Sequence, residues 1–210
     1  QRPGLVTLMR EISISPEKLR SYNIAFGIGP HINSAGRLST ADIAVKLLSA
    51  AGEEEARGPA AELIRLNTQR RKMQEEIYDE AVSLLEEGEI EPIIFHNAGK
   101  AHEGVTGIVA GKLKERYSRP VIIIAEAEEA GYYKGTGRSV SKVDLIGLIS
   151  ENAPLFKRFG GHAAACGFTV PAENVDALRI SLIESMRSRV EEDPTILADR
   201  PEADLSIPAD

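Results

Sequence analysis

The sequence is poor in the residues that build disulfides, zinc sites and aromatic cores. Its 210 residues include one cysteine, Cys166, and no tryptophan, and only 5% of them are aromatic. A single cysteine excludes an internal disulfide and a cysteine-rich zinc site. We expect Cys166 to be buried and inert, because no cation adjoins it in the sequence to favour a thiolate.

Long apolar runs are also missing. No stretch reaches the roughly 18 apolar residues from which a membrane-spanning helix is inferred, and no secretory signal is visible. We therefore expect no membrane association and a cytoplasmic location. Because the chain starts at Gln1 rather than Met and ends on RPEADLSIPAD, we interpret it as a segment of a longer intracellular protein.

Negative charge is concentrated in one segment. Residues 53–91 contain 12 acidic and 5 basic residues, a net charge of −7 that equals the net charge of the whole chain. Residues 95–168 instead contain 10 basic and 7 acidic residues, and three of the four histidines. This mildly basic, histidine-rich part is weak support for an anionic ligand.

The hydrophobic periodicity changes near residue 92. Before it, the pattern is mostly helical, except at residues 23–38, where Gly, Pro, Asn and Ser predict a structured loop. Residues 53–91 predict a long polar helix, which either bridges two domains or covers one domain, and whose first turns Gly58-Pro59 should kink or break. From residue 92, short apolar strands alternate with helices, which predicts an α/β domain with a small sheet covered by helices.

Four polar segments are candidates for chemistry. In GPHINSAGRL, Asn33 and Gly36 shape a turn that presents Arg37 just before a helix. The arginine fork and the helix N-terminus together can hold a phosphate. A solvent-exposed arginine in a helix-joining loop is the alternative.

The second segment, HNAGKAHEGVTG, joins a strand to a helix, which is a common ligand position in open α/β sheets. His96, Asn97, Lys100 and His102 cluster there. Two histidines would need further ligands to hold a metal, and none has convincing spacing. We therefore expect His102 to act through hydrogen bonds rather than as a metal ligand.

The third segment is GTGRS and the fourth is Gly160-Gly161-His162. Gly135 and Gly137 can expose backbone N–H groups, and the side chains of GTGRS offer two hydroxyls and an arginine fork, the ingredients of a phosphate pocket. The Gly-Gly-His segment is either a tight turn with an incidental histidine or a close backbone approach to a ligand beside a proton donor. Jointly, the four segments favour a phosphate-containing ligand.

These motifs, in this order, carry a family resemblance. GPHINSAGRL, HEGVTGIVAGKLKERYSRPVIII, KGTGRS and FGGHAAACGF resemble the RecJ family of single-strand-specific 5′→3′ DNA exonucleases in the DHH phosphoesterase superfamily. The resemblance covers roughly residues 20–170. It implies that the whole protein degrades single-stranded DNA from the 5′ end in DNA repair and recombination.

The resemblance also implies roles for individual residues. His162 would be catalytic, by hydrogen bonding the scissile phosphate and stabilising charge in the transition state. The remaining residues would bind DNA or its phosphates, several of them at the 5′-terminal phosphate: Arg37, Asn33, His102, Thr136, Gly137, Arg138, Ser139, Gly160 and Gly161.

The implied domain organisation has four parts. Residues 1–52 would be the C-terminal tail of a DHH catalytic domain, 53–91 a helical connector, 92–192 the DHH-associated domain, and 193–210 a linker toward an oligonucleotide-binding domain. The family binds Mn²⁺ or Mg²⁺ through aspartates and an Asp-His-His run that this sequence lacks. We therefore expect no metal site in this chain, and no hydrolysis by this chain alone.

Two other functions stay open at this point. One is a DHH-family phosphodiesterase that acts on short oligonucleotides or cyclic dinucleotides, and the other is a non-catalytic nucleic-acid-binding module. If the protein is a RecJ-type exonuclease, its expected partners are single-stranded DNA and, as candidates, a single-strand-binding protein or other repair proteins. We expect a monomer.

Overall fold

The computed structural model of the chain describes residues 2–198. The chain divides at Asp79 and Glu80 into two compact units, and the division falls within one long helix. Within the described residues, no helix is both long enough and apolar enough to cross a membrane. The linker predicted at residues 193–210 lies largely outside the described part of the chain.

The first unit is helical. It contains α1 (Pro3–Glu11), a π-helix (Asn23–Ile28), α2 (Gly29–Leu38), α3 (Asp42–Ser49) and the start of α4 (Glu53–Glu86), with a 3₁₀ turn at Pro16–Lys18. Its core is aliphatic, as the shortage of aromatic residues predicts. The side chains at its centre are Leu8, Ala35, Leu47, Ala56, Ala60, Leu63 and Leu66.

The predicted loop at residues 23–38 is wrong, because this stretch is helical throughout. Pro30 lies in the first turn of α2, where a missing N–H is tolerated. Ser34 is fully buried; its hydroxyl donates to the His31 carbonyl in α2 at 2.6 Å and lies 3.3 Å from the Leu63 carbonyl in α4. Packing against α4 therefore overrides a local composition that favours turns.

The predicted break at Gly58-Pro59 is also wrong, because α4 runs without interruption through Pro59. Proline removes the hydrogen bond that its N–H would donate to Glu55, but the flanking residues hold the helix. Ala56 and Ala60 are both fully buried in the core of the first unit. Burial on both sides of the proline thus keeps the helix continuous.

The second unit is a mixed α/β structure, which confirms the predicted fold class. Its strands are β1 (Ile94–Asn97), β2 (Val121–Glu126), β3 (Tyr132–Arg138), β4 (Arg158–His162) and β5 (Ala165–Pro171). Its helices after α4 are α5 (Glu103–Tyr117), α6 (Leu145–Ser150) and α7 (Val175–Glu192), with 3₁₀ turns at Ala153–Leu155 and Ala172–Asn174.

The sheet has the order β1-β2-β3-β5-β4, so β1 and β4 are its edges. The β1–β2 pair is parallel and the other pairs are antiparallel. Residues of α6 and α7 pack on one face, around the side chains of Ile122, Ile124, Cys166, Phe168 and Val170. The helix α5 packs on β2 and β3. Since helices cover the centre, the open part of the sheet is its β4 side.

Candidate nucleic-acid interface

The register of the sheet aligns polar residues on one face of β3, β5 and β4, which we call the polar face. Residues paired across neighbouring strands share a face, as do alternate residues along one strand. Three rows cross this face: Arg138–Ala165–His162, Thr136–Gly167–Gly160 and Lys134–Thr169–Arg158. The fold thus brings together Thr136, Arg138, Gly160 and His162, which the sequence analysis proposed from separate segments.

A cavity of about 530 Å³ opens on the polar face. That volume is typical of sites for small ligands. Its polar side chains come from the start of α5 and from three strands: Glu103, Thr106, Lys134, Thr136, Arg158 and Thr169. Of the residues predicted from sequence, Thr136 and Gly160 line this cavity.

The two cations of the cavity differ in their charge balance. Lys134 is ion-paired with Glu103, so its charge is largely compensated. Within the described residues, no carboxylate lies within ion-pair distance of Arg158, which instead donates from Nε to the Thr169 hydroxyl at 3.2 Å. Sequence reasoning missed both residues: Lys134 follows two tyrosines and Arg158 follows another cation, Lys157, so composition alone distinguishes neither position.

Arg138 is held against α5 beside Thr136. Its Nη1 donates to the Gly137 carbonyl at 2.8 Å and, more weakly, to the Thr136 hydroxyl at 3.4 Å. A Cβ added to Gly107 of α5 would lie 3.1 Å from Arg138 Nη2. The glycine in the helix therefore makes room for the guanidinium, and Arg138 and Thr136 form one polar unit. That this unit binds a phosphate stays a prediction.

His162 is exposed at the end of β4. Its Nδ1 accepts a hydrogen bond from the backbone N–H of Ala164 at 3.3 Å. A neutral imidazole that accepts at Nδ1 carries its proton at Nε2. His162 therefore has one N–H donor left for a ligand.

The Gly-Gly-His segment is an edge strand and not the tight turn considered from sequence. The chain turns after it, at residues 163–164, before β5 begins at Ala165. Gly160 and Gly161 have different reasons to lack a side chain. A Cβ at Gly160 would meet no atom within 4 Å, whereas at Gly161, where φ is +152°, it would lie 2.3 Å from the Ala165 carbonyl oxygen.

Gly137 and Ser139 do not present the groups that the sequence analysis assigned to them. Gly137 lies in the interior of β3, which pairs on both sides, so Gly135 and Gly137 are ladder residues rather than an open nest. A Cβ at Gly137 would lie 2.6 Å from Cys166 Sγ, so this glycine permits packing. The buried Ser139 hydroxyl donates to the Val143 carbonyl at 2.7 Å.

Cys166 is buried on the opposite face of the sheet, as predicted. Burial raises the pKa of its thiol to about 12, although the nearby Arg138 opposes this shift. The thiol is therefore protonated at neutral pH and unreactive.

His102 is the N-cap residue of α5. Its Nδ1 accepts from the Gly104 N–H at 3.1 Å, which satisfies a free donor of the first turn. It lines a second cavity of about 290 Å³ together with Lys100, Glu103, Glu126 and Glu128. Its placement thus shows a capping role, and its predicted contact with DNA stays a prediction.

His96 lies in β1 rather than in the loop where the sequence analysis grouped it. It is 7% exposed, and its Nε2 has no hydrogen-bond partner among the described residues. Burial lowers the pKa of His96 below its ordinary value of 6.5, and the carboxylate of Glu80 partly offsets this effect.

The lowered pKa of His96 predicts a pH dependence of stability. Below pH 6.5 the unfolded state binds a proton that the folded state still excludes. The free energy of unfolding therefore decreases as the pH is lowered from 6.5 to the pKa of His96 in the folded state. We expect His96→Leu to remove this component. Urea denaturation between about pH 8 and about pH 5 measures it. Equal slopes in the wild type and the variant would contradict the assignment to His96.

The remaining predicted residues, Asn33 and Arg37, are exposed and belong to the first unit. Arg37 lies in the last turn of α2 and not just before a helix as predicted, because the helix includes the whole motif. The half-buried Arg70 donates to the side chains of Asn67 and Gln74 at 3.0 Å each. Burial lowers the pKa of Arg70, and the nearby Arg37 charge lowers it further.

The described residues do not fit a metal centre. Among residues 2–198, no group of three or more His, Cys, Asp or Glu side chains is arranged to hold a metal ion. The polar face instead offers cations, hydroxyls and backbone, which are groups that bind anions.

Comparison with known proteins identifies the second unit as a known domain. A family model described as the DHHA1 domain matches residues 91–188. The single-stranded-DNA-specific exonuclease RecJ of Bacillus subtilis is 38% identical over 185 residues, which are 87% of this chain and 23% of that protein. The Escherichia coli protein of the same name is 34% identical over 180 residues, 80% of this chain and 31% of that protein.

Solved structures agree with these relatives. The crystal structure of Thermus thermophilus RecJ in complex with Mg²⁺ matches 90% of this chain and 29% of that one, with a TM-score of 0.77 and 28% identity. A structure of RecJ bound to manganese matches 89% of this chain and 46% of that one, with a TM-score of 0.78.

The chain spans between 23% and 32% of the length of the curated relatives it matches. The residues of the polar face and of its cavity lie inside the range that the DHHA1 model matches. In sequence and in fold, the chain is similar over most of its length to a part of the RecJ exonucleases, and its residues 91–188 match the DHHA1 domain.

Proposed function

We propose that the whole protein hydrolyses single-stranded DNA in the 5′→3′ direction, and that this chain supplies binding groups for the DNA and its phosphates. The observation that carries the proposal is the polar face. Arg138, Thr136, His162 and Arg158 lie on this face around Gly160 and Gly167, whose backbone no side chain covers. The chain that carries this face is similar to RecJ exonucleases. Cations, hydroxyls and exposed backbone are the groups that bind phosphates.

Within this proposal, the Nε2–H of His162 donates a hydrogen bond to the scissile phosphate and stabilises the charge that develops there. Arg138 and Thr136 bind the 5′-terminal phosphate. Arg37 and Asn33, which belong to the first unit, are proposed to bind DNA. The close contact of Arg138 with Thr136, at 3.4 Å, supports a shared role. Gly160 and Gly161 provide backbone groups that contact the DNA. His102, Gly137 and Ser139 act mainly by stabilising the helix and strands around the site.

We further propose that the divalent ions are bound by residues outside this chain. The relatives of known structure were solved with Mg²⁺ or Mn²⁺, and the described residues contain no suitable ligand cluster. When bound, such ions would supply Lewis-acid activation for phosphodiester hydrolysis. This chain alone is then inactive, and its residues bind and orient the strand.

The wider setting is proposed on the same basis. We place the whole protein in DNA repair and recombination in the cytoplasm, with single-stranded DNA as its ligand and a single-strand-binding protein or other repair proteins as candidate partners. We propose a monomer. The predicted boundaries at residues 52, 91 and 192 are proposals, which the DHHA1 match at residues 91–188 supports for the last part.

The experiment that tests the proposal measures end recognition. Arg138→Ala should weaken binding of a 5′-phosphorylated single strand by about tenfold, to the level of the unphosphorylated strand, because a charge-assisted fork to phosphate is lost. Binding is measured by fluorescence anisotropy with the whole protein, in EDTA to prevent cleavage, at two salt concentrations.

Arg138→Lys tests whether the fork or only the charge matters, and it should keep part of the preference. Arg179→Ala is the matched control, since it removes the same charge from α7, which packs on the opposite face. If Arg138→Ala retains the full preference for a 5′-phosphate, this chain does not recognise the strand end through the polar face.

A further inference from the structure

We propose that Arg158 binds a further phosphate of the DNA strand, distinct from the 5′-terminal phosphate assigned to Arg138 and from the scissile phosphate assigned to His162. The inference rests on the proposed function, because it takes the ligand of the polar face to be a polynucleotide.

The first observation is that Arg158 is an oriented cation on the wall of the cavity. Its Nε donates to the hydroxyl of Thr169, which is 5% exposed and therefore fixed. Among the described residues no carboxylate pairs with Arg158, in contrast to Lys134, whose charge Glu103 offsets. Its charge is therefore available to an anion that enters the cavity.

The second observation is the separation of Arg158 from His162. The two residues lie on the same face of β4, four positions apart, which corresponds to about 13 Å at roughly 3.3 Å per residue. The bond to Thr169 directs the guanidinium across to β5 and not along β4 toward His162. A single phosphate cannot contact both side chains, so Arg158 requires another phosphate of the same strand.

The third observation is the bare surface between them. Gly160 lies between Arg158 and His162, and Gly167 is its partner on β5. Neither has a positive φ among the described glycines, and an added Cβ would meet nothing within 4 Å at Gly160 and nothing closer than 3.9 Å at Gly167. Neither packing nor backbone conformation requires these glycines. Their effect is to leave a path along which a strand backbone can pass from one cation to the other.

The test compares ligands with one phosphate and with many. With the whole protein in EDTA, Arg158→Ala should weaken binding of a thymidine oligonucleotide of about 12 nucleotides by about tenfold. It should lower the salt dependence of that binding, expressed as the slope of log K against log salt, by about 0.7. Binding of a single nucleotide 5′-phosphate should not change, and neither should the 5′-phosphate preference of the oligonucleotide.

Arg179→Ala on the opposite face should leave all of these values unchanged. Thr169→Val removes the acceptor that orients Arg158 and should weaken oligonucleotide binding in the same direction but less, while Thr169→Ser should restore it. A melting temperature equal to that of the wild type shows that each variant is folded.

Two results would overturn the inference. One is wild-type oligonucleotide affinity in Arg158→Ala, and the other is weaker binding with an unchanged salt slope, which indicates altered structure rather than a lost phosphate contact. If Arg138→Ala abolishes the 5′-phosphate preference while Arg158→Ala changes nothing, the proposed function stands and this inference fails. If neither variant alters binding, both fail.

Discussion

Replacing His162 with alanine is expected to lower kcat of the whole protein on single-stranded DNA by about 100- to 1,000-fold, the usual effect of removing one donor to a transition-state oxyanion. The reason lies in the imidazole's one hydrogen bond. Because Nδ1 accepts from the Ala164 N–H, the proton remains on Nε2, where it can form a hydrogen bond to a phosphate oxygen. Steady-state hydrolysis of a 5′-phosphorylated strand at saturating Mn²⁺ or Mg²⁺ provides the measurement.

The effect should fall on kcat and not on affinity. DNA binding by His162→Ala in EDTA should remain close to that of the wild type, whereas Arg138→Ala should change affinity, since a group that acts mainly in the transition state contributes little to ground-state binding. His162→Gln keeps an N–H donor and should recover part of the rate. An alanine variant with wild-type kcat would exclude His162 from the chemistry.

Replacing Gly161 with alanine is expected to destabilise the folded state by about 3 kcal/mol, through backbone strain and overpacking together. The new Cβ would lie 2.3 Å from the Ala165 carbonyl oxygen and 2.7 Å from the Cys166 Cα, and both are backbone atoms that cannot rotate away. The φ of +152° adds strain for any residue with a side chain. Urea unfolding of the wild type and the variant measures the difference.

The adjacent glycine is the matched control. Gly160→Ala places a methyl group where no atom lies within 4 Å, so the free energy of unfolding should change by less than about 0.5 kcal/mol. Two identical substitutions at adjacent positions of one strand should therefore differ by several-fold in their effect. Equal destabilisation by both would show that β4 does not have the described register.

The α/β character and the candidate residues were accessible from sequence because they depend on local patterns. The continuous apolar run of β2 predicts a buried strand, and the Gly-Gly-His and GTGRS segments stand out by composition. The helical state of residues 23–38 was not accessible, since it depends on burial against residues that are distant in the sequence, such as that of Ala35 in one core with Leu63.

The roles of individual glycines and cations were also inaccessible, because strand pairing determines them. Gly137 and Gly160 look equivalent in the sequence, yet one faces Cys166 and the other faces open space. Likewise, the proposed role of Arg158 becomes apparent only from the strand register, which places it beside Thr169 and on the same face as His162. That strand register cannot be deduced from local sequence patterns alone.

The exposed edge strand β4 has a consequence for the solution behaviour of the protein. An unpaired strand edge is a template for pairing with another molecule, and proteins oppose this with charge and with irregular backbone. All five residues of β4 are exposed, and the strand carries Arg158 and the positive φ of Gly161. The features that we propose for DNA binding at this edge should thus also discourage aggregation by strand addition. Substitutions that flatten or neutralise β4 would favour self-association as well as weaken the ligand site.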